Sequence, residues 1–173
     1  MKRHPALAPL SRDHHHALVI ARRLRRADES DAEEAARAFL AHWEDEESLH
    51  FRLEEEVLLP AYAAHADPNH AAVVRTLIDH VLIRRDVARL RDAPALTLLH
   101  ELGTRLADHV KLEEHELFPL IERTVPEPEL SALGARLDDA ARPRPAEPAA
   151  DTRDPPAGNT GRGKSASGKH PRP

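Results

Sequence analysis

Two stretches of eleven residues constrain this chain more than anything else in it. Residues 50–60 read HFRLEEEVLLP and residues 109–119 read HVKLEEHELFP. Aligned without a gap they agree at six positions: His50/His109, Leu53/Leu112, Glu54/Glu113, Glu55/Glu114, Leu58/Leu117 and Pro60/Pro119. Residues four apart on an α-helix lie one above the other on the same face. Each stretch therefore presents a histidine and, one turn on, a carboxylate in one direction, and the apolar positions around them make that direction inward. Two such pairs facing each other across a helical bundle form a pocket of imidazoles and carboxylates, the donor set that a pair of iron ions takes.

The rest of the chain reads as the bundle that such a pocket needs. Leu10, His14, Ala17, Leu18, Ala21 and Leu24 mark the inner face of a first helix over about 10–27, with arginines in its last turn. A second helix is expected from Ser30, with Ser30 and Glu33 as a capping box, running through Trp43, Glu46 or Glu47, His50, Glu54 and Val57 until Pro60 bends or closes it. Asp67 and Pro68 signal the start of a third, with Val73, Leu77, His80, Arg84 and Val87 inward and Val74, Val81 and Ala88 widening that face. The fourth begins near Ala95 and carries Leu99, Leu102, Leu106, His109, Glu113, Leu117 and Leu120. No segment alternates as a strand does. The expected fold is all-α, an antiparallel up-down-up-down four-helix bundle over residues 1–140, with its core at about 8–125 and a short extra helix at about 129–139. Residues 141–173 are rich in Pro, Gly, Ala and charge and are expected to be a disordered tail.

Each of the four helices brings a histidine to its apolar side: His14, His50, His80 and His109. His15 and His16 follow His14 directly, so only one of the three can face the centre; Leu10 and Leu18 favour His14, with His15 the alternative. With Glu54 and Glu113 these make six ionisable groups whose joint burial is costly unless cations compensate it. The remaining histidines, His42, His65, His70, His100 and His115, read as surface residues. A ferritin-like arrangement would repeat Glu-x-x-His on two helices; Glu47 and His50 fit it, but Leu106 stands where the second glutamate would be.

Composition narrows the function further. There is no cysteine, which excludes disulfides, zinc thiolates, iron–sulfur clusters and a thiol nucleophile. A net charge of −5 and only five aromatic residues argue against nucleic-acid binding. No apolar run is long enough to span a membrane, and the N-terminal MKRHPALAPLSRDHHH lacks the apolar core of a signal peptide, so a cytoplasmic monomer is the expectation.

The order H…HxxxE…H…HxxxE resembles the hemerythrin-like, HHE cation-binding family over about residues 8–125. SRDHHHAL is similar to that family's first-helix Asp-His motif, and the two LEE…P stretches are similar to its second- and fourth-helix motifs. The resemblance implies a non-haem di-iron centre with an oxo or hydroxo bridge, ligated by His14, His50, His80, His109, Glu54 and Glu113, the two glutamates bridging. Oxygen-carrying members place a second histidine one turn from the third-helix ligand and an aspartate on helix four; Thr76, Arg84 and Glu113 occupy those positions here. Four histidines and two bridging carboxylates fill about eight of about twelve positions on two six-coordinate ions, and an oxo or hydroxo bridge about two more. The remaining open positions imply reaction or sensing rather than reversible carriage, and the expectation is a protein that binds or senses O2, NO or peroxide more than a dedicated enzyme. Two other functions are alternatives: iron storage, delivery or iron-centre repair, which needs the same ligands, and a metal-free helical interaction module, which would explain the leucine pattern but not the four inward histidines.

Overall fold

The computed structural model describes residues 3–142; residues 1–2 and all but the first two residues of the expected tail lie outside them. Among the described residues there are five helices and no strand. Helix α1 is Ala8–Arg26. Helix α2 spans 32–63 as the α segments Ala32–His42, Ser48–Leu53 and Leu59–Ala63, joined by π turns at Trp43–Glu47 and Glu54–Leu58. Helix α3 is Ala71–Asp92. Helix α4 spans 96–124, with a π turn at Glu113–Leu117 between Leu96–Leu112 and Phe118–Thr124. Helix α5 is Glu127–Ala140. The first four form the antiparallel bundle, and no described helix is long and apolar enough to cross a membrane.

Local chemistry explains where the helices start, and it corrects two expected caps. Ser30 does not cap α2. Its backbone N–H and hydroxyl both donate to Asp28, forming a turn, and the helix begins two residues later. Asp67 likewise accepts from the backbone N–H of Asn69 in a turn, while His70 caps α3 by accepting from Ala72 N–H through its ring. Pro60 does not close α2, which continues to Ala63. A proline inside a helix lacks an N–H and presses on the carbonyl four residues back. For Pro60 and Pro119 that carbonyl belongs to Glu56 and His115, each inside a π turn whose wider ring relieves the crowding.

The core has two apolar parts. One gathers Leu10, Leu53, Leu58, Val73, Leu112, Leu117 and Phe118, covered by Leu130, Leu133 and Leu137 of α5. The other gathers Ala17, Ala21, Phe39, Trp43, Phe51, Ile83, Leu102, Leu106 and Val110. Along every bundle helix the inward histidines and glutamates fall between the two. Helices α1 and α4 approach closely at Gly103, where a Cβ would lie 2.7 Å from the Ala21 carbonyl oxygen.

The inner face of α3 differs from the expected one. Val73, Thr76, His80, Ile83, Asp86, Val87 and Leu90 are buried, whereas Val74, Leu77 and Val81 are among the exposed apolar side chains and Ala88 is exposed too. Apolar residues occur on both sides of this helix, so periodicity alone does not choose between them. On α1, Leu18 is 40% exposed rather than inward.

Candidate metal centre

The bundle brings all six expected residues together. His14, His50, His80, His109, Glu54 and Glu113 are each no more than 4% exposed. They form two overlapping groups of four, His14–His50–Glu54–Glu113 and Glu54–His80–His109–Glu113, whose donor atoms in each group all lie within 4.8 Å of one another. Of the three consecutive histidines on α1, His14 is buried, and His15 and His16 are exposed.

Every Nε2 points into the cluster. His14 Nε2 is 3.1 Å from Glu113, His50 Nε2 is 3.4 Å from Glu54, His80 Nε2 is 3.2 Å from Glu54 and His109 Nε2 is 3.2 Å from Glu113. His14 and His50 approach through Nε2 at 3.2 Å. The opposite ring nitrogens face carboxylates outside the cluster. His14 Nδ1 donates to Glu114 at 2.7 Å and His80 Nδ1 to Glu55 at 2.7 Å. His50 Nδ1 donates to Asp13 at 3.4 Å, and His109 Nδ1 lies 4.0 Å from Asp79. An imidazole that donates from Nδ1 to a carboxylate keeps Nε2 free as a lone-pair donor and is fixed in orientation, the usual setting of a metal-binding histidine.

These contacts repeat about an approximate two-fold relation that exchanges α1 with α3 and α2 with α4. Asp13 and His14 correspond to Asp79 and His80; His50, Glu54 and Glu55 correspond to His109, Glu113 and Glu114. The outer glutamates are themselves held. Glu55 accepts two hydrogen bonds from Arg84, at 2.7 and 3.0 Å. Glu114 accepts from Arg3 and from the Ser11 hydroxyl, both at 2.6 Å. Rings pack beside the histidines: Phe51 stacks on His80 at 3.8 Å and Phe118 on His14 at 5.4 Å.

The electrostatics show what the cluster lacks. Burial lowers the pKa of His14, but the carboxylates of Glu113 and Glu114 beside it outweigh that and raise the value to about 9. His80 is likewise lowered by burial and carried up to about 10 by Glu113, Glu54 and Glu55. His50 is raised well above the usual range, Glu54 and Asp13 overcoming its burial. His109 is depressed, because burial and the neighbouring His80 prevail over the pull of Glu113. Glu113 falls well below the carboxylate range against its burial, held there by His109, His14 and His80. Both oxygens of Glu54 and of Glu113, Nε2 of His80 and both ring nitrogens of His109 have no hydrogen-bond partner. Buried polar atoms are rarely left so, and imidazole nitrogens with carboxylate oxygens are a donor set that suits iron, manganese or zinc. The arrangement is consistent with a two-metal site, and each half offers two imidazoles and an oxygen from each glutamate.

One expected surface residue belongs to the interior. His42 is 9% exposed, and its Nε2 lies 3.0 Å from a carboxylate oxygen of Glu47, itself 3% exposed. The π turn Trp43–Glu47 brings these two residues, five apart, onto the same side. Glu46, by contrast, is exposed and pairs with His16. His15, His16, His65, His70 and His115 are exposed, and half-buried His100 donates to the Ala27 carbonyl.

A repeat pointed to the missed supporting residues. The Leu-Glu-Glu repeat contains Glu55 and Glu114, and the Asp-His pair at 13–14 recurs at 79–80. Comparison with known families matches residues 6–121 to the hemerythrin HHE cation binding domain. No curated protein and no solved structure gives a significant match.

Proposed function

The chain belongs to the hemerythrin HHE cation-binding family, and from that premise we propose that it is a non-haem di-iron protein whose centre binds or senses O2, NO or peroxide. The observation that carries this reading is the orientation of the four rings: each turns Nε2 inward beside the unpaired oxygens of Glu54 or Glu113 and turns Nδ1 toward a carboxylate outside. In this reading His14 and His50 would hold one ion and His80 and His109 the other, with Glu54 and Glu113, common to both groups, serving each. The pair would supply electrons and Lewis-acid character to a small ligand. The protein's part is to fix the rings, to keep them neutral once the ions are bound and to close the centre between two apolar layers.

This donor count supports ligand binding rather than a closed structural site. Two imidazoles and two carboxylate oxygens give each ion about four protein donors, short of the six that iron commonly takes. A second reading, iron storage or delivery, is favoured by a cavity of about 390 Å³ backed by His50, lined by Leu10, Leu49, Leu53 and Leu137 and rimmed by Asp13, Asp45, Glu46 and Asp138. An acidic rim attracts cations.

Metal analysis and an optical spectrum of protein purified from iron-replete cells test the reading. About two irons per chain are expected, with near-ultraviolet absorption from an oxo-bridged ferric pair. One tightly held zinc per chain would sink it. Rapid transfer of the iron to a mild chelator, with no spectral response to NO or peroxide, would favour the delivery reading.

A further inference from the structure

Seven of the nine buried side-chain atoms without a partner among the described residues belong to four of the six centre residues; the other two are Arg3 Nε and the hydroxyl of Thr76. Thr76 is 0% exposed and lies one turn before His80 on the buried face of α3. A helical threonine ordinarily satisfies its hydroxyl on the carbonyl one turn back. Here Oγ1 makes no such bond and finds no protein acceptor. α3 also packs against the π turn of α4 that starts at Glu113. The free hydroxyl therefore sits one turn from His80 on the same buried face of α3.

The approximate two-fold relation makes this position informative. His80 corresponds to His14, so Thr76 corresponds to Leu10, which is 2% exposed and part of the apolar core. The two halves offer the same donors, yet one has an aliphatic wall one turn from its α-helical histidine and the other a hydroxyl with nothing to bond. A buried hydroxyl is unfavourable without a partner and rewards one that carries negative charge. Resting on the di-iron reading above, we propose that Thr76 donates a hydrogen bond to an exogenous anion or oxygen ligand held on the His80–His109 half of the centre. This half is then where the ligand is held, and Leu10 offers the other half no such donor.

Azide titration of the di-iron protein, followed by its optical spectrum alongside iron content and thermal melting, tests this. Thr76→Val keeps the shape and removes the donor; Thr76→Ser keeps the donor. The valine variant should bind azide about ten-fold more weakly, with two irons and an unchanged melting temperature, while the serine variant stays within about two-fold of the parent. Leu10→Val should leave azide affinity unchanged. Unaltered azide affinity in Thr76→Val, or equal weakening in Thr76→Ser, would overturn the inference and leave the di-iron reading standing. A parent protein that holds two irons but takes up no azide would overturn it as well. A parent that holds no metal would overturn the di-iron reading, and this inference with it.

Discussion

Nδ1 of His80 lies 2.7 Å from Glu55, and that carboxylate is gripped on its other side by both terminal nitrogens of Arg84. The ring is thus set by a residue that never enters the cluster. Groups that orient a metal-binding imidazole typically change metal affinity by about 10–100-fold when altered. Glu55→Gln should lower iron affinity within that range while helicity is kept, and Glu114→Gln should do the same through His14. Competition against a chelator of known affinity measures it. Wild-type affinity in both variants would show that the outer carboxylates only decorate the bundle.

Glu54 and Glu113 take part in both groups of four. Removing either one takes a donor from each half. Glu54→Ala or Glu113→Ala should reduce iron from about two per chain to well under one, with the bundle still folded. His115→Ala, at an exposed position, should retain both ions. Iron content and circular dichroism of the three variants decide it; iron lost from His115→Ala but kept by Glu113→Ala would mean that α4 faces the other way.

Protons and metal compete for the same rings, with a definite sign. In the metal-free protein His14 and His80 have pKa values of about 9 and about 10, above the ordinary 6.5. Their contribution to stability is complete below pH 6.5 and is lost as pH rises through those two values. Metal requires them neutral, so loading at pH 8 should release about two protons or more per chain. Calorimetry of metal binding in buffers of different ionisation enthalpy counts them. Metal-free protein should melt lower at pH 10 than at pH 6.5, and a flat profile with no proton release would contradict the charges described above.

His42 and Glu47 form a buried pair beside the six-residue cluster, with Glu47 close enough to feel the charge of His50 and His109. Removing one partner of such a pair leaves the other charged and unpaired, a loss of about 3 kcal/mol. Urea unfolding of the metal-free protein should show that loss for His42→Leu, and His42→Leu combined with Glu47→Leu should regain much of it. Equal stability of His42→Leu and the parent would mean that the pair contributes nothing to the fold.

The sequence made the six central residues legible because a repeat needs no knowledge of neighbours. His50 and Glu54 recur as His109 and Glu113, and His14 and His80 fall on apolar lines of helices long enough to read. What supports the rings was harder to see. Glu55 meets His80 and Glu114 meets His14 across helix interfaces, and no spacing along one helix reports that. His42 falls on the same regular line as buried Ala35 and Phe39, but its partner Glu47 is five residues on, a spacing that regular α-periodicity does not bring alongside. The inner face of α3 was misplaced because Val74, Leu77, Ile78 and Val81 form an outward line as regular as the inward one.

The π turns carry a consequence for how this chain can change. Each is equivalent to one residue inserted into an α-helix, and the two that begin at Glu54 and Glu113 sit where the carboxylates common to both groups of four project. Deleting a single residue from either would let the helix close into a regular spiral with everything beyond it kept in phase, whereas a deletion in a regular segment turns all that follows by about 100°. The helix beyond would keep its facing, but Pro60 or Pro119 would lose the wide ring that relieves its pressure on the carbonyl four residues back. The count of residues is therefore least critical inside these turns and more critical in the regular segments beside them, where one deletion would turn the far end of the helix away from its partners.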